Sequence, residues 1–145
     1  MEKIVIKERK DTVLFSDEIR ISALLNNKEV GHIILKENLE DSNFDEKLDG
    51  EAVYDSVIKL LDDYGYFYTL DYLYVNEDYR DAGIGRKLLY YWKKRYGNKP
   101  TLLHKSSYSM PDEQTKKLMD NKILPNLYRE VGFKQIKNTN YFCNK

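Results

Sequence analysis

Residues 71–85, Asp-Tyr-Leu-Tyr-Val-Asn-Glu-Asp-Tyr-Arg-Asp-Ala-Gly-Ile-Gly, carry the pattern in this chain best suited to chemistry. An aromatic strand runs into a polar turn, then into Arg80-x-x-Gly83-x-Gly85, then into a helix. Glycines let a backbone come close to a ligand, and a helix start leaves N–H groups without intrahelical acceptors. Together these make a nest for a phosphate or pyrophosphate. A Walker loop requires Gly-x-x-x-x-Gly-Lys-Ser/Thr, which the chain lacks. A dinucleotide loop requires a third glycine, but Arg86, Lys87 and Leu88 follow Gly85, and the next strand ends in His104 and Lys105 rather than an acid. The loop points to a nucleotide-bearing cofactor held in some other way.

Other chemistries find little support. Cys143 is the only cysteine and has no His or Asp motif beside it, which argues against a cysteine nucleophile. It cannot form an internal disulfide, so a reducing, cytoplasmic compartment is the expectation. Two histidines and one cysteine offer no metal-ligand pattern.

The elements that must position the loop can be read around it. Tyr66 to Val75 is the strongest strand in the chain, dense in aromatic and β-branched residues. Ile84, Leu88, Leu89 and Trp92 share a face of the helix that follows, which Gly97 and Pro100 bring to an end. Thr101 to His104 reads as a short strand parallel to the one before the helix, the usual outcome of a strand–helix–strand crossover. Ser109-Met-Pro-Asp112 has capping-box spacing and predicts a helix to Val131, with Pro125 kinking or splitting it and Gly132 ending it. Phe133–Lys137 and Tyr141–Asn144 predict a closing hairpin.

Upstream, Ile4-Val5-Ile6 is a β-branched run. Ile19, Ile21 and Ala23 alternate with polar neighbours, and Asn26-Asn27-Lys28 turns the chain into a second strand, Val30–Leu35. Residues 36–47 read as loop. Val53, Val57, Leu60 and Leu61 recur at helical spacing between about Gly50 and Asp63. The pattern predicts one α/β domain over residues 1–145, with a mixed central sheet of about six to seven strands and flanking helices.

The loop and the strand before it resemble the acetyl-CoA loop of the GNAT superfamily of N-acetyltransferases, Gln/Arg-x-x-Gly-x-Gly/Ala. Leu127-Tyr128-Arg-Glu-Val-Gly132-Phe133 is similar to the end of that family's later helix, and Asn121 falls where the family often has Asn. The resemblance covers residues 66–145, which it marks as the acetyl-CoA-binding half. Residues 1–65 form a variable, acceptor-side half: 7–17 leave no room for the two helices the family usually places there, and the extra helix falls at 50–63.

The resemblance implies acetyl-CoA as cofactor, with its pyrophosphate on amides of Arg80 through Arg86, including Gly83, Ile84 and Gly85. The backbone of Leu73 to Val75 would pair with the pantetheine arm like an added strand, provided the next strand splays away. Arg86 and Lys87 also have a plain reading as solvated helix residues. Tyr128 is the implied general acid, returning a proton to the departing thiolate. With ordinary pKa values of about 10 for the phenol and about 8.5 for a thiol, it must be well positioned to do so. An alkyl amine is mostly protonated at neutral pH, so a base is required. Asp71 stands four residues before Val75, where the family often carries a Glu, and would share a face with Leu73 and Val75 in a regular strand. His104 is the other candidate base. Asp71, His104 and Tyr128 each have a structural alternative, as an ion-paired acid, a hydrogen-bonded histidine and a packed aromatic among 13 tyrosines.

Charge adds a direction. The chain is neutral overall, yet residues 36–63 carry ten acids against three lysines, and residues 84–145 carry fourteen Lys/Arg against four acids. Solvated faces explain such runs, and so does a positive half for a polyanionic cofactor beside a negative half for a cationic acceptor. The expected activity is acetyl transfer from acetyl-CoA to a primary amine, on a small cation or on a protein lysine or N-terminus. The alternative is a catalytically silent acyl-CoA-binding or protein-interaction module. No run approaches the roughly 20 apolar residues of a membrane span, and the charged N-terminus does not read as a signal peptide. No nucleic-acid recognition motif accompanies the basic half, so nucleic acid is not an expected partner. Either a monomer or a homodimer is compatible with this reading.

Overall fold

The computed structural model describes residues 3–13, 16–76, 78–79, 83–104 and 123–145. The apolar–polar alternation of Ile19, Ile21 and Ala23 buries one side of a strand, β2 (Ser16–Leu25), and leaves the other side polar. It pairs with β1 (Val5–Val13) on one side and β3 (Lys28–Asn38) on the other, both antiparallel. A short helix, α1 (Glu46–Asp49), and a long one, α2 (Glu51–Tyr64), follow, then β4 (Phe67–Val75), α3 (Ile84–Tyr96) and β5 (Thr101–His104). The described part of the chain closes with α4 (Ile123–Glu130), β6 (Lys134–Gln135) and β7 (Tyr141–Cys143). The seven strands make one sheet in the order β1-β2-β3-β4-β5-β7-β6. β4 and β5 are parallel, as the crossover through α3 requires, and the other pairs are antiparallel. Among the described residues no helix is long and apolar enough to cross a membrane.

Two cores lie on the two faces. On one, Ile84, Leu88, Leu89 and Trp92 of α3 and Tyr128 of α4 pack on Ile21, Ile33, Leu35, Leu70, Leu73, Leu103 and Phe142. On the other, Val57 and Leu60 of α2 pack on Phe67, Leu102 and Cys143. The end of α4 explains its Gly-Phe pair. Gly132 is left-handed (φ 108), and the N–H groups of Phe133 and Gly132 donate to the carbonyls of Tyr128 and Arg129. This closes the helix in a Schellman turn. Phe133 is thereby turned inward to stack on Trp92, with ring centroids 4.5 Å apart.

Several expectations need correction. β1 extends well past the Ile4–Ile6 run, because as an edge strand it can carry Lys7 to Thr12 without burying them. β3 reaches Asn38, where Lys36, Glu37 and Asn38 pair with Thr69, Tyr68 and Phe67. Within the segment read as loop, Asp45 caps α1 by accepting from the N–H groups of Lys47 and Leu48. The predicted start of the later helix at Ser109 lies outside the described residues. Pro125 sits within α4, in its described first turn.

Candidate active site

β4 outruns β5. Their pairing ends at Leu70 opposite Leu103, while β4 continues to Val75 and stays paired with β3 up to Gly31. The pairing of β4 with β5 thus covers Tyr68 to Leu70 only, and Asp71 to Val75 lie beyond it.

β4 is also irregular. Ile34 faces Asp71 and His32 faces Tyr74, so two residues of β4 oppose Ile33. This is a β-bulge. It shifts the side-chain alternation by one, and the expectation that Asp71 shares a face with Leu73 and Val75 is therefore wrong. Leu73 is buried in the α3-side core with Val75 packed against it, whereas Asp71 opens on the opposite, α2 side with Thr69.

Beyond β4 the chain makes a turn in which Tyr79 N–H donates to the Asn76 carbonyl, and Asn76 Oδ1 accepts from Asp78 N–H. Arg80 lies outside the described residues, as does Asn121. Gly83 is left-handed (φ 73, ψ 21) and caps α3, a conformation that disfavours any side chain. The first helical bond runs from Lys87 N–H to the Gly83 carbonyl, which leaves the amides of Ile84, Gly85 and Arg86 with no intrahelical acceptor. No acid stands in that first turn. A Cβ placed on Gly85 would meet only Val75 Cγ2, at an ordinary 3.8 Å. Among the described residues nothing demands glycine there. Ile84 offers its backbone alone, since its side chain is in the core. Arg86 is engaged in an ion pair with Glu130 at the end of α4.

The cavity that adjoins this edge lies on the α2 face and measures about 530 Å³. Its floor crosses the sheet from Glu18 through Lys36, Thr69 and Asp71 to His104 and Tyr141. Asn43 and Phe44 form a side wall, and Asp17 and Glu37 stand at one end. The strap carrying Phe44 is tied down: Asn43 donates to Asn38, Tyr54 to Asp41, and Tyr141 to Asp49. Burial raises the pKa of Asp71, opposed by nearby Lys36 and by a hydrogen bond from the Thr69 hydroxyl, while Glu18 adds to the rise. Burial lowers the pKa of His104, against the pull of Asp49. Its ring meets Tyr141 edge-on at 4.7 Å. Both candidate bases therefore line one cavity, each shifted toward its neutral form.

Tyr128 is elsewhere. It is fully buried in the α3-side core, edge-on to Phe142 at 5.6 Å. The structure brings Asp71 and His104 together and places Tyr128 across the sheet from them. Sequence reading missed Glu18, Lys36, Phe44 and Tyr141 as cavity residues. It also missed Gly31, where a Cβ would stand 2.9 Å from the Tyr74 carbonyl oxygen and 3.0 Å from Ile84 Cγ2. The first four sit at polar or amphipathic positions of predictable elements, but only the sheet register shows that they converge. Gly31 leaves no signal beyond being a glycine within a strand.

The family model described as Acetyltransferase (GNAT) domain matches residues 21–135 of this chain, a span that includes β3, the bulged β4, the glycine-capped α3 and α4. The chain belongs to the GNAT acetyltransferase family. Its fold is that of a GNAT domain in which a strap and a single long helix precede β4, with no helix between β1 and β2. The chain is also similar to the crystal structure of the Bacillus subtilis N-acetyltransferase YlbP in complex with coenzyme A, at 16% identity and a TM-score of 0.47. That similarity covers 86% of this chain and 65% of the other, so this GNAT domain spans just under two thirds of YlbP's length. No curated protein matches the chain.

Proposed function

We propose that this protein transfers acetyl from acetyl-CoA to a primary amine by direct attack in a ternary complex. One observation carries the reading: the pairing of β4 with β5 ends at Leu70 while β4 runs on to Val75, toward a helix start shaped by Gly83 and Gly85. That stretch of β4 suits strand-like hydrogen bonds to a pantetheine amide chain, and the α3 amides suit a pyrophosphate. Acetyl-CoA matches both, and it is the substrate of the family's acetyl transfer.

Threaded through the opening, the thioester would reach the α2-side cavity, where Asp71 and His104 stand ready to accept a proton from the attacking amine. The C–N bond forms, the C–S bond breaks, and the thiolate takes up a proton. Tyr128 belongs to the other face and can serve as that donor only through the opening itself. N–H groups along Leu73 to Val75 would polarise the thioester carbonyl. Acids outnumber lysines around the cavity, which favours a cationic acceptor.

Full burial of Tyr128 favours a second reading, a domain that binds acyl-CoA without turnover. Release of free CoA from acetyl-CoA, followed with a panel of primary amines, separates the two. Amine-dependent release supports transfer; saturable acetyl-CoA binding with no release under any amine supports the silent module.

A further inference from the structure

We infer that the outer edge of β1 is an interaction surface, and that the partner it fits is a second copy of this chain, paired antiparallel about Arg9. β1 ends the sheet on one side, and β2 is its strand neighbour. Its register with β2 is unbroken from Val5 to Val13, so the strand is regular along its whole length. Among the described residues, nothing else pairs with its backbone. The outward N–H and C=O groups of a nine-residue strand are thus left to solvent or to another chain. Such edges are normally kept short, bulged or covered. This one is none of these, and its charges show what it can accept.

From Lys7 to Asp11 the signs run positive, negative, positive, positive, negative. Outward from Arg9 they are opposite at each step: Glu8 against Lys10, then Lys7 against Asp11. A two-fold axis through Arg9, normal to the sheet, turns that sequence into pairs. Glu8 then stands opposite the second copy's Lys10, and Lys7 opposite its Asp11, twice each. The members of each pair are an even number of residues apart, so they share a face of the joined sheet. Moving the axis to Glu8 sets Glu8 against itself and Lys7 against Arg9. Moving it to Lys10 sets Lys10 against itself and leaves Arg9 and Asp11 as the one kind of opposite pair. The central Arg9 pair is like-charged, but each guanidinium is already bonded to Asp11 of its own strand at 3.1 Å.

The pairs differ in what they add. Glu8 is already held by the hydroxyls of Tyr91 and Tyr96 and by Arg95, and Lys10 by Asp17. Lys7 has no ion pair among the described residues, so its meeting with Asp11 is the contact a second copy supplies. Charges that only ward off neighbours serve best with one sign. Signs that reverse about a central residue suit a copy of the same strand. Pairing would join the two sheets into one of fourteen strands, seven from each copy. β2 and β3 lie between β1 and β4, so β4 and the start of α3 stay clear of the joint.

Sedimentation velocity of the full chain, over concentrations up to millimolar, tests this. We expect a reversible monomer–dimer equilibrium, weak because a single strand edge buries little area. Lys7→Asp and Asp11→Lys should each weaken it about tenfold, since either change turns two attractive pairs into repulsive ones. The double variant should regain wild-type association, and so should an equal mixture of the two single variants. Register is read by cysteine crosslinking, with which the buried Cys143 does not compete. Arg9→Cys should form an intermolecular disulfide on mild oxidation, because directly opposed positions bring their Cα atoms within about 5.5 Å. Lys7→Cys should not, since the two copies of that position lie four residues apart along the strands. A chain that stays monomeric at millimolar concentration would overturn the inference. So would association that neither single charge change weakens, or crosslinking through Lys7→Cys in preference to Arg9→Cys.

Discussion

Asp71 and Leu73 face opposite sides of the sheet although one residue separates them, because the bulge opposite Ile33 shifts the alternation of β4 by one. The strand thus sends a carboxylate into the α2-side cavity and, two residues later, a leucine into the α3-side core. If Asp71 is the base, Asp71→Asn should lower kcat by about a hundredfold or more and leave acetyl-CoA affinity unchanged. His104→Gln should then cost much less. The reverse ranking in steady-state kinetics would make His104 the base, and Tyr128→Phe in the same assay reports whether the buried phenol takes part.

At Gly31, β3 passes close to the Tyr74 backbone of β4 and to Ile84 at the start of α3. Gly31→Ala must push aside the Tyr74 backbone or Ile84, and is expected to destabilise the fold by about 1–3 kcal/mol. Urea denaturation measures this directly; a midpoint at or above wild type would show that the three elements can part without cost.

Burial makes both His32 and His104 hold a proton less tightly in the folded protein than in the unfolded chain. Below about pH 6.5 the unfolded chain binds more protons, so stability falls as pH drops from there toward the depressed folded values. Asp71 acts in the opposite sense. Its raised pKa favours the folded state at low pH and is lost as pH rises through the folded value. Urea midpoints at about pH 7.5 and 5.5 should show the histidine effect, and His32→Asn with His104→Asn should flatten it. A midpoint that rises on acidification in the wild type, by the same amount in the double variant, would contradict the histidine assignment.

Glu130 holds Arg86 at the helix start proposed for the pyrophosphate. Glu130→Gln releases the guanidinium and removes a nearby negative charge. Acetyl-CoA should then bind a few-fold more tightly at low salt, with the gain fading at high salt because the pair is largely exposed. Unchanged or weaker affinity would show that Arg86 plays no part in anion binding.

Much of this architecture was legible in local signals. The Asn26-Asn27 turn, the apolar faces of α2 and α3, and the Gly132-Phe133 closure depend on residues near one another in sequence, and each is present as read. The bulge was not legible, because Tyr72-Leu73 looks like regular strand and only pairing with β3 reveals the extra residue. The reach of β1 was hidden by its charges, which an edge strand tolerates and a central strand would not. The cavity was hidden more deeply. Glu18, Lys36, Phe44 and Tyr141 come from three strands and a strap spread over most of the chain, and their convergence is a property of strand order.

The central claim is that the edge of β4 and the start of α3 hold acetyl-CoA, and calorimetric titration of acetyl-CoA into the wild type and Gly85→Val tests it most directly. The account predicts saturable binding to the wild type. It also predicts a Gly85→Val variant that folds with a near-normal urea midpoint, since its Cβ meets no close neighbour, yet loses most of that binding. No saturable binding to the wild type at millimolar acetyl-CoA, or equal binding by a well-folded Gly85→Val, would contradict it.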